Sequence, residues 1–386
     1  MAKLPDVLVL GGGIIGLTSA YLLAKSGLSV RVIDRQEMGR EASWAGAGIL
    51  PPYGDPALAR PPMDALRAVS VAGFAAFSEE LPTANGYRVC GGIEALDADA
   101  EYTLPLWDAE KIAYERISAE ELKRLEPHCA DLTPRPPLRS GEGEISRLFH
   151  LPGFAQLRNP RHLRALITAC QNQNVELIAG CPVESWKFDR GRVVGLFDST
   201  GRLHGAGAYL VSTGAWAGGC LRSLGCGFGI HPVRGQIVLY SGADGLLSRV
   251  IVEGKRYLVP RGDGRILVGS TEEPEAGFVK ATTPAGVEEL KAFAEGWIPA
   301  LGRAKVEQSW AGLRPSSADG LPAIGPVPGH PNVFAAVGHG RAGIQLSLGT
   351  ARLMLQHVTG GELPAYADAF RLDRPPNTDF RSAFRS

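Results

Sequence analysis

The chain opens on a continuous apolar run, Val7-Leu-Val-Leu10, which is what a short parallel strand covered on both faces requires. Gly11-Gly-Gly-Ile-Ile-Gly16 follows, and the apolar spacing over residues 17–26 predicts a helix that stops at Gly27. Val30-Arg-Val-Ile33 reads as the next strand, with Asp34 at its end. Asn159-Pro160 predicts a helix start, the Asn side chain capping and the Pro at the first helical position. Leu163, Leu166, Ile167 and Cys170 give that helix an apolar face. Cys181-Pro-Val-Glu184 reads as a short strand, and Asp189-Arg-Gly191 and Ser199-Thr-Gly201 as hairpin turns. Residues 208–212 form another strand, running into the small-residue turn Thr213-Gly-Ala-Trp-Ala-Gly218.

From Pro232 the texture changes. Strands of mixed polar and apolar character (232–240, 256–260, 265–269) alternate with turns such as Gly262-Asp-Gly264. That pattern predicts an antiparallel sheet, one face on core and the other over a ligand. Thr283-Pro284 starts a helix whose stripe of Val287, Leu290, Phe293, Ala294 and Trp297 is a packing face. Near the end, Val333-Phe-Ala-Ala-Val337 delivers Gly338 and Gly340 into a turn before a helix from about Gly343 toward His357. The stretch beyond Gly361 is polar and Pro-containing, a surface strap or a frayed end.

Composition narrows the function classes. Forty Lys and Arg balance forty Asp and Glu, so overall charge favours neither nucleic acid nor an anionic membrane. The 49 glycines and 28 prolines argue against a helical bundle and for turns and close ligand approaches. Six cysteines show no CxxC pair and no metal spacing, the pattern of reduced thiols in a cytoplasmic protein. Residues 7–24 are apolar but broken by four glycines and preceded by Asp6, which suits a nucleotide loop better than an export signal or an integral membrane segment. No metal site is expected.

The glycine motif carries the first chemistry. Gly11 permits a tight turn, Gly13 lets a pyrophosphate approach the backbone, and Gly16 lets helix and strand pack closely, with Ile14 and Ile15 opening the helix toward the phosphates. Asp34, eighteen residues past Gly16, is placed to accept hydrogen bonds from an adenosine ribose. Arg35 beside it is matched to a 2′-phosphate that Asp34 would repel. The motif does not separate NAD from FAD. In Gly39-Arg-Glu-Ala-Ser-Trp-Ala-Gly-Ala-Gly-Ile-Leu50, Ser43 is placed to bond a phosphate, and the small residues Ala42, Ala47 and Gly48 with Ile49 allow a flat ring to approach.

GGGIIG with Asp34, followed by GREASWAGAGIL, resembles the D-amino acid oxidase superfamily of flavoproteins, and within it the glycine oxidases of thiamine biosynthesis. The resemblance covers nearly the whole chain. It implies an α/β fold: an FAD-binding Rossmann-like domain, a doubly wound parallel sheet, with an interleaved antiparallel-sheet substrate domain. The implied division is 1–60, 151–225 and 321–372 for FAD, 61–150 and 226–320 for substrate, and 373–386 as a tail. It also implies that the backbone of Val183 meets the adenine, that the turn at Gly214 is a third approach to the dinucleotide, and that FAD is held noncovalently, no cysteine standing near Arg314 or Arg341.

In the second half, Trp310-Ala-Gly-Leu-Arg-Pro-Ser-Ser-Ala-Asp-Gly-Leu-Pro-Ala-Ile-Gly325 is close to a glycine-oxidase segment. Arg314, between Leu313 and Pro315, reads as a bidentate clamp on an amino-acid carboxylate or as a structural salt bridge. Tyr257 matches the family's carboxylate-contacting tyrosine. Gly338-His-Gly-Arg-Ala-Gly-Ile-Gln345 brings His339, Gly340, Arg341, Ala342, Gly343, Ile344 and Gln345 to the flavin, the helix N-terminus facing its N1–C2=O edge. His339 is structural or flavin-contacting, and Arg341 meets substrate or anchors a loop. Gly340 and Ala342 depart from the family's aromatic and asparagine, which enlarges the rim and puts strict preference for glycine in doubt. Glu272, at a position apolar in some relatives, attracts an ammonium or is solvated. The expected function is oxidation of a small amino acid (glycine, sarcosine or a small D-amino acid) by O2 to oxo acid, ammonia and peroxide. A dehydrogenase feeding a quinone or carrier and a flavin-binding subunit of a larger complex are the alternatives, and a homo-oligomer is admitted.

Overall fold

The computed structural model of the protein describes residues 4–54, 61–96, 103–130 and 147–375. The opening run forms β1 (Val7–Leu10), the helix α1 (Ile14–Lys25) and then β2 (Val30–Ile33). β1 lies at the middle of a six-stranded sheet ordered Ala323–Val327, His330–Val337, Ala208–Val211, β1, β2 and Glu176–Ile178. All neighbours run parallel except the first pair, which is antiparallel. Its two faces divide by alternation. Val7, Val9 and Val32 pack against α1 and the helices Asn159–Asn172, Gly343–Thr359 and Pro61–Glu80. Leu8, Leu10, Tyr209 and Val211 face the other way, under the three-stranded sheet Val183–Asp189, Arg192–Asp198 and Leu203–His204 and the helix Ala217–Arg222.

The second large sheet has eight strands, running from Lys305–Ser317 and Ile230–Ser241 through Arg265–Gly269, Arg256–Pro260 and Val250–Glu253 to Gly92–Leu96, Arg147–Leu151 and Glu115–Ile117. It is antiparallel except where Val250–Glu253 pairs in parallel with Gly92–Leu96. The helix Pro284–Trp297, capped by the Thr283 hydroxyl, covers one face with Leu290, Phe293 and Trp297. The opposite face presents Ile237, Tyr257, Val259 and Leu267 toward the first domain. Arg261 locks the two together: its half-buried guanidinium donates to the carbonyls of Ala47 at 2.6 Å and Leu157 at 3.1 Å.

One expectation changes, and one of two alternatives is selected. Asn159 is the first helical residue and not the cap, which is Arg158, and its side-chain amide donates to the Ser43 carbonyl at 2.8 Å. The segment beyond Gly361 is a docked strap: Phe370 and Leu372 are buried, and Arg374 bonds both carboxylate oxygens of Asp319 at 2.7 and 2.9 Å. Residues 376–386 of the expected tail lie outside the described residues. The helix Pro61–Glu80 sits on the sequence division's substrate side, yet Met63, Leu66, Phe74 and Phe77 share one core with β1 and α1. The reason is its partner. Gly349, mid-way along the helix Gly343–Thr359, lets Leu66 come so near that a Cβ there would lie 2.7 Å from the Leu66 carbonyl oxygen.

No helix among the described residues is long and apolar enough to cross a membrane. A Gly349→Val change should overpack the contact between these two helices and cost ~1–3 kcal/mol. Thermal denaturation of the purified protein checks this, with Gly361→Ala, in a looser place, as the control for a general glycine effect.

Candidate active site

A cavity of about 550 Å³ runs along the carboxyl ends of the parallel strands and on beneath the larger sheet. Ligand clefts in open α/β folds form at this strand end. Gly11 has φ +102°, and a Cβ there would fall 2.5 Å from the Ser212 carbonyl oxygen. A Cβ at Gly16 would fall 1.9 Å from the Gly11 carbonyl oxygen, so α1 leaves β1 with no room for a side chain between them. The α1 N-cap, Gly13, has no side chain to cap with, and the Ser43 hydroxyl instead accepts from the Ile14 amide at 2.9 Å. That leaves the hydroxyl hydrogen of Ser43 for a further acceptor. Asp34 accepts from the Gly12 and Gln36 amides at 2.8 and 2.9 Å, which fixes its carboxylate on the cavity wall. Burial raises its pKa, against those two backbone bonds. Cys181 begins the turn to Val183 and is held against Asp198 and His204, whose Oδ2 and Nε2 lie 2.8 Å apart.

The far end is built on the larger sheet. Arg314 is flat against Gly235 of the adjacent strand, where a Cβ would meet its guanidinium at 2.3 to 2.5 Å. Its Nη2 donates to the Ser270 hydroxyl and its Nη1 to the Thr271 carbonyl at 3.3 Å. Burial holds its pKa below the usual arginine value. The Tyr257 ring lies over Gly269, which it pairs with in register, and a Cβ there would strike the ring at 2.6 to 2.7 Å. Glu272 and Lys255 line the same end as an ion pair at 2.9 Å. Glu272 is thus neither solvated nor an uncompensated anion, as the sequence alone left open.

His339 starts the turn that closes the cavity. It is buried, its Nε2 lies 3.0 Å from the Thr350 hydroxyl, and burial pushes its pKa down to about 3. It is therefore a neutral tether to the helix Gly343–Thr359. That helix begins without a side-chain cap, at Ala342, so its first amides are open toward Gly343 and Ile344 on the wall.

A model of the family described as FAD dependent oxidoreductase matches residues 6–357. A glycine oxidase of Pseudomonas aeruginosa is 38% identical over 95% of this chain and 99% of its own length. A bifunctional protein ThiO/ThiG of Synechocystis is 30% identical over 97% of this chain and 54% of its own length. A crystal structure of a glycine oxidase from Geobacillus kaustophilus superposes with a TM-score of 0.87 at 27% identity, covering 97% of this chain and 99% of that one. The chain belongs to the FAD-dependent oxidoreductase family.

FAD is the cofactor of this family, and the cavity fits it. The glycine cradle and the uncapped start of α1 suit a pyrophosphate, Asp34 a ribose, and a lining that runs on to Arg314 and Gly343 leaves the far end for a ring system. Of the residues singled out from sequence for this family's cofactor, Gly11, Gly13, Ile14, Ile15, Asp34, Arg35, Ala42, Ser43, Ala47, Gly48, Ile49, Val183, Gly214, His339, Gly340, Arg341, Gly343, Ile344 and Gln345 line the wall. Gly16 lies behind it as a packing residue, as its expected role demands. Ala342 is not on the wall; it packs on the core beneath the parallel sheet. Gln345 reaches the wall but turns its amide to the Pro51 and Tyr53 carbonyls at 2.8 and 3.0 Å. Arg35 stacks 3.6 Å over Trp216 and pairs with Glu41 at 2.9 Å. Sequence reasoning passed over Trp216, Lys255, Ser270, Thr271 and Gly235. Only Gly235 carried a signal, a glycine inside a strand, which marks close approach.

Gly235→Ala should push Arg314 off its seat and weaken carboxylate binding by about tenfold or more, a loss of ~1.5–3 kcal/mol of charge-assisted bonding, with FAD content unchanged. Carboxylate titration of the flavin spectrum reads it. Because His339 and His162 are buried with pKa values near 3 and 4, the unfolded chain binds more protons than the folded one below the ordinary histidine value. Their contribution to stability is full above about pH 6.5 and is lost as pH falls from there toward about 4 for His162 and about 3 for His339. Denaturation midpoints across that window should fall less steeply in His339→Gln than in the parent.

Proposed function

We propose that the protein oxidises a small amino acid, held by its carboxylate on Arg314, to the oxo acid and ammonia, with O2 as the electron acceptor. The observation that carries this is the setting of Arg314. The half-buried guanidinium donates to neutral oxygens, Ser270 Oγ and Thr271 O, and among the described residues no carboxylate is in bonding contact with it. A substrate carboxylate supplies one in a two-pronged geometry. Tyr257 beside it adds a phenolic hydroxyl at the same end of the cavity.

Bound FAD supplies the two-electron acceptor for the Cα–H hydride. The protein's part is orientation. Arg314 and Tyr257 fix the carboxylate so that the α-carbon projects toward the turn at His339, and the larger sheet roofs the site against water. A neutral amine needs no strong base, and neutral His339 is occupied with Thr350. The uncapped start of the helix Gly343–Thr359, on the cavity wall, would favour the negative charge that a bound flavin gains on reduction. The imine hydrolyses to oxo acid and ammonia, and O2 takes the electrons to give peroxide. Cys181 and Cys220, the cysteines on the described wall, flank the Val183 and Gly214 turns far along the chain from Arg314, consistent with noncovalent FAD. The six free thiols suit a reducing cytoplasm. The thiazole branch of thiamine synthesis is the pathway we assign, in line with the ThiO/ThiG relative.

Anaerobic mixing with glycine, sarcosine, D-alanine and D-proline should bleach the flavin, and admitting air should restore the colour with one peroxide per turnover. Arg314→Ala should keep its FAD and lose tenfold to more than hundredfold in apparent affinity, the ~1.5–3 kcal/mol of its charge-assisted bonds. Equal rates with amines lacking a carboxylate would refute the clamp. A flavin bleached without peroxide on re-aeration would point to a dehydrogenase.

A further inference from the structure

Cys181, Asp198 and His204 come together behind the Asp34 end of the cavity. Cys181 begins the turn to Val183, and its amide donates to the Asp34 carbonyl at 2.8 Å. Asp198 ends the strand Arg192–Asp198, and His204 lies on the short strand that folds back on it, in register with Leu196. All three residues are buried. Cys181 Sγ lies 3.6 Å from Asp198 Oδ2 and 3.7 Å from His204 Nε2, and those two atoms are 2.8 Å apart. Tetrahedral zinc, bonded at about 2.3 Å to sulfur and 2.0 Å to nitrogen and oxygen, sets its ligand atoms about 3.5 Å apart along each sulfur edge and about 3.3 Å along the N–O edge. Two edges of that face are therefore formed, and the third has to open by about half an ångström. The carboxylate is oriented by its other oxygen. Asp198 Oδ1 accepts from the Thr200 amide at 2.9 Å, the Thr200 hydroxyl at 2.6 Å and the Arg202 amide at 3.0 Å, which leaves Oδ2 turned to Cys181 and His204. His204 Nδ1 is buried with no hydrogen-bond partner, so no donor holds it as the acceptor nitrogen of the ring.

We propose that Cys181, Asp198 and His204 bind one divalent cation of the zinc class, which staples the three-stranded sheet to the wall of the cofactor cavity. On binding, the Cys181 thiol releases its proton to solvent, and the imidazole keeps one hydrogen, moved from Nε2 to Nδ1. Sγ, Nε2 and Oδ2 then each offer a lone pair to the metal. Thiolate, carboxylate and dication sum to zero, so no net charge is buried. A thiolate with an imidazole nitrogen favours zinc over magnesium and calcium, which take oxygen ligands. Cys181 lines the cavity, and a water reaching it from there completes the four ligands. Sequence spacing does not reveal the site, because its residues come from a turn and two paired strands. The site uses neither Arg314 nor Tyr257, so it stands or falls independently of the proposed oxidation.

The test is made on FAD-loaded enzyme freed of metal with a chelator. Added Co2+ should give the visible d–d bands of a tetrahedral ion, to the red of flavin absorption, saturating at one equivalent per chain, and Zn2+ should abolish them. Zn2+ at a hundredfold excess over its dissociation constant should raise the thermal midpoint by about 3 °C. Cys181→Ser and His204→Gln, each removing a ligand, should weaken Zn2+ binding by about a hundredfold or more. Thr200→Val keeps all three ligands and changes only an exposed turn residue that orients Asp198; it should weaken binding by about tenfold. A wild type that binds no Zn2+ at micromolar concentration, or Zn2+ that binds both ligand variants as tightly as wild type, overturns the proposal. If the ligand variants fail to fold or lose their flavin, X-ray absorption of the zinc-loaded wild type decides. One sulfur at about 2.3 Å with three nitrogen or oxygen atoms at about 2.0 Å supports the site. A shell with no sulfur, or with two or more, overturns it.

Discussion

The closest constraint in the molecule is the contact of Gly16 with the carbonyl of Gly11. A Cβ at Gly16 would overlap that oxygen at 1.9 Å, so α1 can leave β1 at this angle only if no side chain exists there. The angle aims the open N-terminus of α1 along the cavity, and it draws Ser212 of the neighbouring strand against the same turn, where its hydroxyl donates to the carbonyls of Leu10 at 2.9 Å and Gly11 at 3.0 Å. β1, α1 and the strand ending at Val211 therefore meet at one small patch of backbone. The cofactor's phosphates have a site because the chain has removed its own side chains from it.

The same device recurs at the substrate end, with a different purpose. Gly235 and Gly269 remove side chains from a sheet so that Arg314 and Tyr257 can lie flat on its surface. A long flexible arginine loses conformational freedom when it is bound, and one already pressed on a strand has less to lose. Desolvation raises the cost of its charge and lowers its pKa, a cost that the proposed carboxylate ligand would offset. Stability is given up at the site in exchange for orientation. It is recovered elsewhere, in the apolar cores under each sheet and in cross-links such as Arg261 to the Ala47 carbonyl.

The charges around the substrate are arranged in depth. Arg314 is bonded to neutral oxygens, while Glu272 is paired with the more exposed Lys255. His339, though inside a glycine-rich turn at the cavity, is held neutral by burial and serves to tie that turn to the C-terminal helix. Chemistry that asks the protein to orient a hydride donor, and not to move a proton, is consistent with this distribution.

Much of this was readable from local pattern. The strand, the glycine turn, the helix and the acid over residues 7–34 interact with near neighbours in sequence, so their spacing alone determines how they fold and what they hold. The resemblance through the segment around Arg314 likewise singled out the residue proposed as the clamp. What sequence did not decide was everything set by contacts between distant segments. Asn159 has the composition of a cap, yet Ser43, 116 residues away, took its side chain. The helix Pro61–Glu80 lies in the substrate half of the chain by order but packs in the other core, because Gly349 offers it a closer fit. Glu272 could be read as ligand or as solvated until Lys255, on another strand, was seen to neutralise it. A side chain's chemistry is intrinsic to its type, but whether its charge is spent or available depends on which partner the fold brings within a few ångströms, and only the tertiary structure sets that distance.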